Sequence, residues 1–228
     1  MNGWKCLLKR NAWSGRVSHI WFHRFGAVGG VEHSSSWVTS HLSHPMATTP
    51  EVRVVFAVSF ESMYVRALGP DLPRPLLKSL SDLKIELTNL DVAYPLQTWL
   101  DALRAARLVC HPHIDDALAY EELGRTFVRS YFQTLIGRAV KHLLRAIGTM
   151  RSLERMRQNF RSGNNFSDSS IEKTGERSCR FHINHDLGHP AFILGIIHEG
   201  MKLAVEPTFR MTVIKTTPPQ ASFECSWD

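Results

Sequence analysis

No two of the four cysteines (Cys6, Cys110, Cys179 and Cys225) are close enough along the chain to form a Cys-x-x-Cys pair. That argues against a disulfide framework and for structural thiols in a reducing, cytoplasmic setting. Long apolar runs are also missing. The longest, around "AFILGII", is far short of the ~20 residues that a spanning helix needs, so no transmembrane segment is expected. No apolar stretch of about 7–15 residues comes after the basic start, as a secretory signal would require. The chain has no Gly-rich phosphate loop, no paired-carboxylate motif and no Gly-x-Ser-x-Gly elbow. No motif names a reaction, and an enzyme is not the expectation.

Acids are nearly absent from residues 1–45, where Glu32 stands alone against Lys5, Lys9, Arg10, Arg16 and Arg24. This stretch therefore supplies most of the net charge of +6. It shows no period of two or 3.6, and it ends in the Ser/His-rich "EHSSSWVTSHLSHP". Two accounts stay open: a disordered, transit-like extension, or a true start at Met46 with the upstream part read through from non-coding sequence. Either way, residues 1–45 are set apart from the fold, and residues 46–228 are read as a single domain.

From residue 46 the pattern becomes regular. "VRVVFAVSF" is either a short strand or the run-in to a helix. "ESMYVRALG" continues as one or two helical turns, which Gly69-Pro70 stops. "PRPLLKSLSDLKIEL" and "AYPLQTWLDALRAARLVC" read as helices. In residues 123–147, Phe127, Tyr131, Leu135, Ala139, Leu143 and Ile147 make one i, i+4 row. Val128, Phe132, Ile136, Val140 and Leu144 make the adjacent row, which predicts one long helix with a wide buried face. Gly148 breaks it, and a short helix over "MRSLERMRQNF" is expected to end at a left-handed Gly163. Beyond residue 166 the period becomes alternating. A hairpin turns through Gly175, a helix starts at Pro190, and two further strands cover "FRMTVIK" and "ASFECSW". The fold class is α+β, with a helical N-terminal half followed by β-β-α-β-β forming a four-stranded antiparallel sheet.

Two clusters invite functional readings. "HINHDLGHP" brings His182, His185 and His189 together, with His198 further on. A zinc site needs its ligands to converge on one point. His182 lies on an outward strand face, His189 at a helix cap, and His198 on the opposite side of that helix, so surface and capping roles are expected and no metal. His111 and His113 are read the same way beside the helix-start residues Asp115 and Asp116. The second cluster is a basic run from Arg125 to Arg161, with Arg138, Lys141, Arg145, Arg151, Arg155 and Arg157 as its surface members. It is either a solvated face offset by neighbouring acids or a surface for nucleic acid or another polyanion.

Several blocks together carry a resemblance: "VFAVSFESMYVRALG", "AYPLQTWLDALRAARLVCHP", "LGRTFVRSYFQTLIGRAV", "LERMRQNFRSGNNF", and Pro190-Ala191-Phe192 with Gly195 and Gly200. Their order and spacing over residues 52–228 resemble a paralogous family of uncharacterised proteins expanded in myxobacteria. The most specific positions are Asn159, Phe160, Arg161, Gly163, Asn164 and Asn165. The histidines lie outside that pattern. More loosely, the order of elements resembles the superfamily of haem–nitric-oxide sensor domains, vinyl-reductase-like ligand domains and TRAPP subunits. That likeness implies a small apolar ligand held between helices and sheet, or a scaffold that pairs with a protein partner or a second copy. The sequence lacks the Tyr-x-Ser-x-Arg motif that grips haem propionates in such sensors, and His142 is the one histidine on the long helix. No cofactor is therefore expected. The leading expectation is a non-enzymatic, cytoplasmic sensory or adaptor domain involved in signalling, with a ligand pocket lined by Phe127, Tyr131, Phe132, Leu135, Phe192, Ile196, Phe223 and Trp227. The alternative is polyanion binding through the Arg138–Arg161 stripe.

Overall fold

A computed structural model describes residues 52–69 and 72–228, with the side chains of Leu135 and Ile136 left out of the description. The expectations for residues 1–45 lie outside the described residues. The β-branched run at the start extends as β1 (Val54–Phe56), which pairs antiparallel with β2 (Ala93–Pro95) and sets Val55 opposite Tyr94. β1 runs directly into α1 (Ala57–Phe60) and a π-helical continuation, Glu61–Ala67. "VRVVFAVSF" is thus a strand and a helix start in succession. α2 (Arg74–Asp82) begins with Pro75 in its first turn and is shorter than its leucine spacing predicts, because Lys84 takes a φ of 60° just beyond it. α3 (Leu96–Cys110) buries Trp99, Ala102, Leu103 and Ala106 along one face.

The single long helix expected over residues 123–147 is two helices, α4 (Asp116–Tyr131) and α5 (Leu135–Ile147). At the start of α4, the Asp115 carboxylate accepts from the backbone N–H of Ala117 at 2.8 Å. At its end, the Thr134 hydroxyl donates to the Tyr131 carbonyl and accepts from the Gly137 N–H, both at 2.8 Å. Thr134 thereby starts a new helix. Gly137 allows the turn: a β-carbon there would collide with the Tyr131 carbonyl. The two predicted rows part company after this break. Val128, Phe132 and Leu144 are buried, whereas Leu143 is 40% exposed.

Gly148, with φ of 78°, ends α5 as expected. The next segment is α6 (Thr149–Glu154) and α7 (Met156–Arg161), where one helix was predicted. Gly163 is not left-handed; a β-carbon there would come within 2.7 Å of Ser59 Oγ.

The C-terminal half keeps the predicted order: β3 (Ser169–Gly175), β4 (Ser178–Ile183), α8 (Pro190–Ala204), β5 (Arg210–Thr217) and β6 (Gln220–Ser226). The sheet is antiparallel in the order β3-β4-β6-β5. Cys179 faces Cys225, Phe181 faces Phe223 and Ile183 faces Ala221 across the β4–β6 pair, all buried. The intervening Arg180 and Glu224 pair on the outer face at 3.4 Å, so the period of two sorts apolar from charged as read from the sequence.

α4 and α8 approach each other closely. A β-carbon at Gly195 would collide with the Glu121 carbonyl, and one at Gly124 with the Phe192 carbonyl. Backbone thus lies against backbone on both sides of the crossing. α5, by contrast, docks through a small separate cluster of Val128, Phe132, Leu144 and Ala204. Gly195→Ala is expected to cost at least ~2 kcal/mol in a urea or thermal melt, because backbone rather than a mobile side chain must move. Gly200→Ala on the same helix meets only Val128 Cγ2 at 3.4 Å and is expected to change stability by less than ~1 kcal/mol.

Candidate ligand cavity

Where α1, its π-helical continuation, α3, α4, α5, α7 and α8 meet, they leave a cavity of about 150 Å³. Its body is apolar. Phe127, Val128, Tyr131 and Phe132 come from α4 and the turn after it, Val140 and Leu144 from α5, and Phe192 and Ile196 from α8. Trp99 closes one end, its ring centroid 6.0 Å from that of Phe192, while Phe127 meets Phe192 edge-on at 6.1 Å. These ring contacts fix the wall positions. Ser59, Ser62, Asn159 and Ser162 form a polar side between α1 and α7.

Of the residues expected to line a pocket, Phe127, Tyr131, Phe132, Phe192 and Ile196 come together here. Phe223 and Trp227 do not. Phe223 packs beneath the sheet with its ring centroid 6.2 Å from that of Phe181, and Trp227 lies against Phe209 at 6.4 Å. The Leu135 side chain is outside the described residues. The cavity therefore lies between helices rather than between a helix and the sheet. The sheet's inner face is filled by its own fully buried Cys179, Phe181, Phe223 and Cys225.

Asn159, Phe160, Gly163 and Asn164 also line the cavity, which gives the Asn-Phe-Arg and Gly-Asn-Asn positions a structural role. The Gly163 carbonyl accepts from the Phe56 N–H at 2.9 Å and from the Ser59 hydroxyl at 3.1 Å. The Asn165 carboxamide accepts from the Val54 N–H and donates to the Val52 carbonyl, both at 2.9 Å. The Asn164 oxygen takes the N–H groups of Phe166 and Ser167, and Arg161 donates to the Asn165 carbonyl. The motif fastens the end of α7 to β1 and to Ser59 of α1, segments distant in sequence from it. The sequence marked these residues only by likeness, since none of the bonds shows in a local period. Ser59, Ser62, Trp99 and Met156 were missed altogether.

The histidines disperse. His182 Nδ1 pairs with Ser222 Oγ at 2.8 Å on the outer sheet face. His185 is 6% exposed, against the expected surface position, because its Nδ1 accepts from the Leu187 N–H at 3.1 Å and its ring lies edge-on to Phe166. His189 caps α8 by accepting from the Ala191 N–H at 3.2 Å, and it stacks on Tyr120. Among the described residues, no group of three or more His, Cys, Asp or Glu side chains converges to hold a metal ion. Burial pushes the imidazoles of His185, His189 and His198 below their ordinary value.

The basic run divides. Arg125 pairs with Glu121, Arg129 with Glu199 at 2.7 Å, and Arg157 with Asp168 at 2.8 Å. Arg138 and Arg145 reach only backbone carbonyls, of Gln133 and Ala204. Lys141 lies over the Phe132 ring, 5.9 Å from its centroid. Arg151 and Arg155 have no carboxylate partner among the described residues.

A family model described as protein of unknown function (DUF2378) matches residues 53–228. No curated protein matches the chain. Among solved structures, an H-NOX protein studied for its mechanism of activation superposes with a TM-score of 0.55 at 11% identity, covering 76% of this chain and 96% of that one. The Fe(II) unliganded H-NOX protein from K. algicida gives 0.52 at 11% identity, covering 76% and 96%. A mutant H-NOX from T. tengcongensis gives 0.51 at 10% identity, covering 67% and 86%. At such identities the likeness is one of fold, and the H-NOX-like architecture agrees with the looser resemblance read from the sequence.

The lowered histidines set a pH dependence. As pH falls below about 6.5, the unfolded chain takes up protons before the folded one does. Stability is therefore full above about pH 6.5 and is lost as pH falls through the lower folded-state values. The melting temperature should drop between about pH 7.5 and about pH 5.5. His185→Asn, which keeps an acceptor for the Leu187 N–H, should make that drop shallower. An unchanged slope would mean that His185 carries none of the drop.

Proposed function

The chain belongs to the DUF2378 family of proteins of unknown function, and we propose that its domain is a non-enzymatic, cytoplasmic sensory or adaptor module that binds a small apolar ligand in the interhelical cavity. The observation that carries this reading is the aromatic-walled space of about 150 Å³ between α4, α5 and α8 in an H-NOX-like fold. Apolar cavities of this size take benzene-sized guests, and the aromatic part of this wall suits a guest of that class. α5 forms one wall and is held by a small apolar cluster and by the bond from Arg145 to the Ala204 carbonyl, so a guest alters the docking of that helix first. The outer side of α5, with Leu143 exposed, is then the surface through which a protein partner or a second copy senses occupancy.

The H-NOX fold implies a haem, and the lining does not fit one. Among the described lining residues there is no histidine to serve as an axial ligand and no charged side chain to meet the propionates. Burial raises the pKa of the Tyr131 phenol, which keeps it protonated and a poor iron ligand. The space is also smaller than the ~300 Å³ at which pockets for drug-sized molecules begin.

The test is to titrate benzene into the full chain and follow its melting temperature and NMR spectrum. Benzene is expected to raise the melting temperature and to shift signals of Phe127, Phe192 and Ile196. Ile196→Trp, which fills the space, should abolish both effects. A wild-type protein indifferent to benzene, with no small molecule carried through native mass spectrometry, contradicts the reading.

A second reading, polyanion binding, is favoured by one observation. Arg138, Lys141, Arg145, Arg151 and Arg155 face no carboxylate within ion-pair reach among the described residues. Affinity for single- or double-stranded nucleic acid should then fall steeply with salt. Replacing Arg145, Arg151 and Arg155 together should lower it for every sequence; undiminished binding by that variant would discard the reading.

A further inference from the structure

Two polar groups on the cavity wall lack strong partners. Ser62 is 5% exposed, lines the cavity, and its hydroxyl makes no hydrogen bond within the described protein. It stands in the π-helical segment Glu61–Ala67, a departure from α-helix that recurs at functional sites. The Asn159 carboxamide also lines the cavity. Its nitrogen reaches only the Met156 sulfur, at 3.7 Å, and its oxygen has no partner among the described residues.

The two groups belong to one wall. Ser59, three residues before Ser62, donates to the carbonyl of Gly163, four residues after Asn159. That bond pins α1 to the chain just after α7, and Ser62 and Asn159 both line the cavity beside it. On a polar side of an otherwise apolar cavity, this hydroxyl and this carboxamide keep hydrogen-bonding capacity that a matching guest could use.

We propose that the cavity selects a small, uncharged ligand with an aromatic-sized apolar body and a single hydrogen-bonding group, the chemical class of phenol, anchored by Ser62 and Asn159. This rests on the cavity being a ligand site. The apolar body sits among Phe127, Phe192 and Ile196, and the polar group takes a hydrogen bond from the Asn159 amide and gives or takes one at the Ser62 hydroxyl. An anion is disfavoured because no charged side chain lines the space.

The experiment compares phenol with toluene, which matches it in shape but lacks the hydroxyl, and with benzoate. Each is titrated into the full chain by ligand-observed NMR. A purely apolar cavity would rank toluene first. The anchored site is expected to bind phenol at least as tightly as toluene, with benzoate weakest. In a Ser62→Ala/Asn159→Leu variant the phenol-to-toluene ratio should fall about tenfold, the worth of one to two net hydrogen bonds, while toluene affinity holds. Toluene affinity also reports that the variant is folded; if it does not fold, the wild-type ranking alone decides. A wild-type preference for toluene or benzoate, or a ratio that the variant leaves unchanged, overturns the anchor while the cavity reading survives. Failure of all three probes to bind removes both.

Discussion

The backbone-to-backbone crossing of α4 on α8 is the constraint that shapes the rest of the helical half. Gly124 and Gly195 let each helix press against the other's carbonyl groups, an approach that any β-carbon would prevent. Held so close, the two helices cannot interleave large side chains at the crossing. Phe127 and Phe192 meet edge-on beside it, and both line the cavity with Trp99 of α3 and Val140 and Leu144 of α5. The cavity is the space those rings surround and do not fill. Protein interiors leave few voids of this size, because an unfilled wall loses dispersion contacts.

The two ends of the cavity wall differ in how firmly they are held. On one side, the Asn-Phe-Arg and Gly-Asn-Asn positions stitch α7 to β1 through several backbone hydrogen bonds, so the polar wall is fixed. On the other, α5 is held by Leu144 packing against Val128, Phe132 and Ala204 and by the bond from Arg145 to the Ala204 carbonyl. Under the proposed reading, occupancy of the cavity would bear on α5 sooner than on the stitched wall.

Much of the β half was legible because its signals are local. The alternation of Cys179, Phe181 and Ile183, the Gly175 turn and Pro190 at the first position of α8 all act within a few residues. The helical half was legible in composition but not in its joints. The apolar rows of residues 123–147 run straight through the break after Tyr131. Only Thr134 and Gly137 mark it, through a side-chain cap and a steric allowance that hydrophobic period cannot register. The cavity was half legible for the same reason: five aromatic or aliphatic residues on α4 and α8 could be read from helix faces. Ser59 enters through a contact spanning about a hundred residues of chain, and Ser62 and Asn159 line the cavity without a local period that marks them. Phe223 and Trp227 look like pocket residues by type and are core by position.

A crystal structure of the full chain under xenon pressure probes the cavity without relying on any particular ligand. A persistent apolar cavity predicts one xenon atom among Phe127, Phe192 and Ile196, with α4 and α8 unmoved. Absence of xenon there, with α5 or the rings of Tyr131 and Phe132 collapsed into the space, would contradict it.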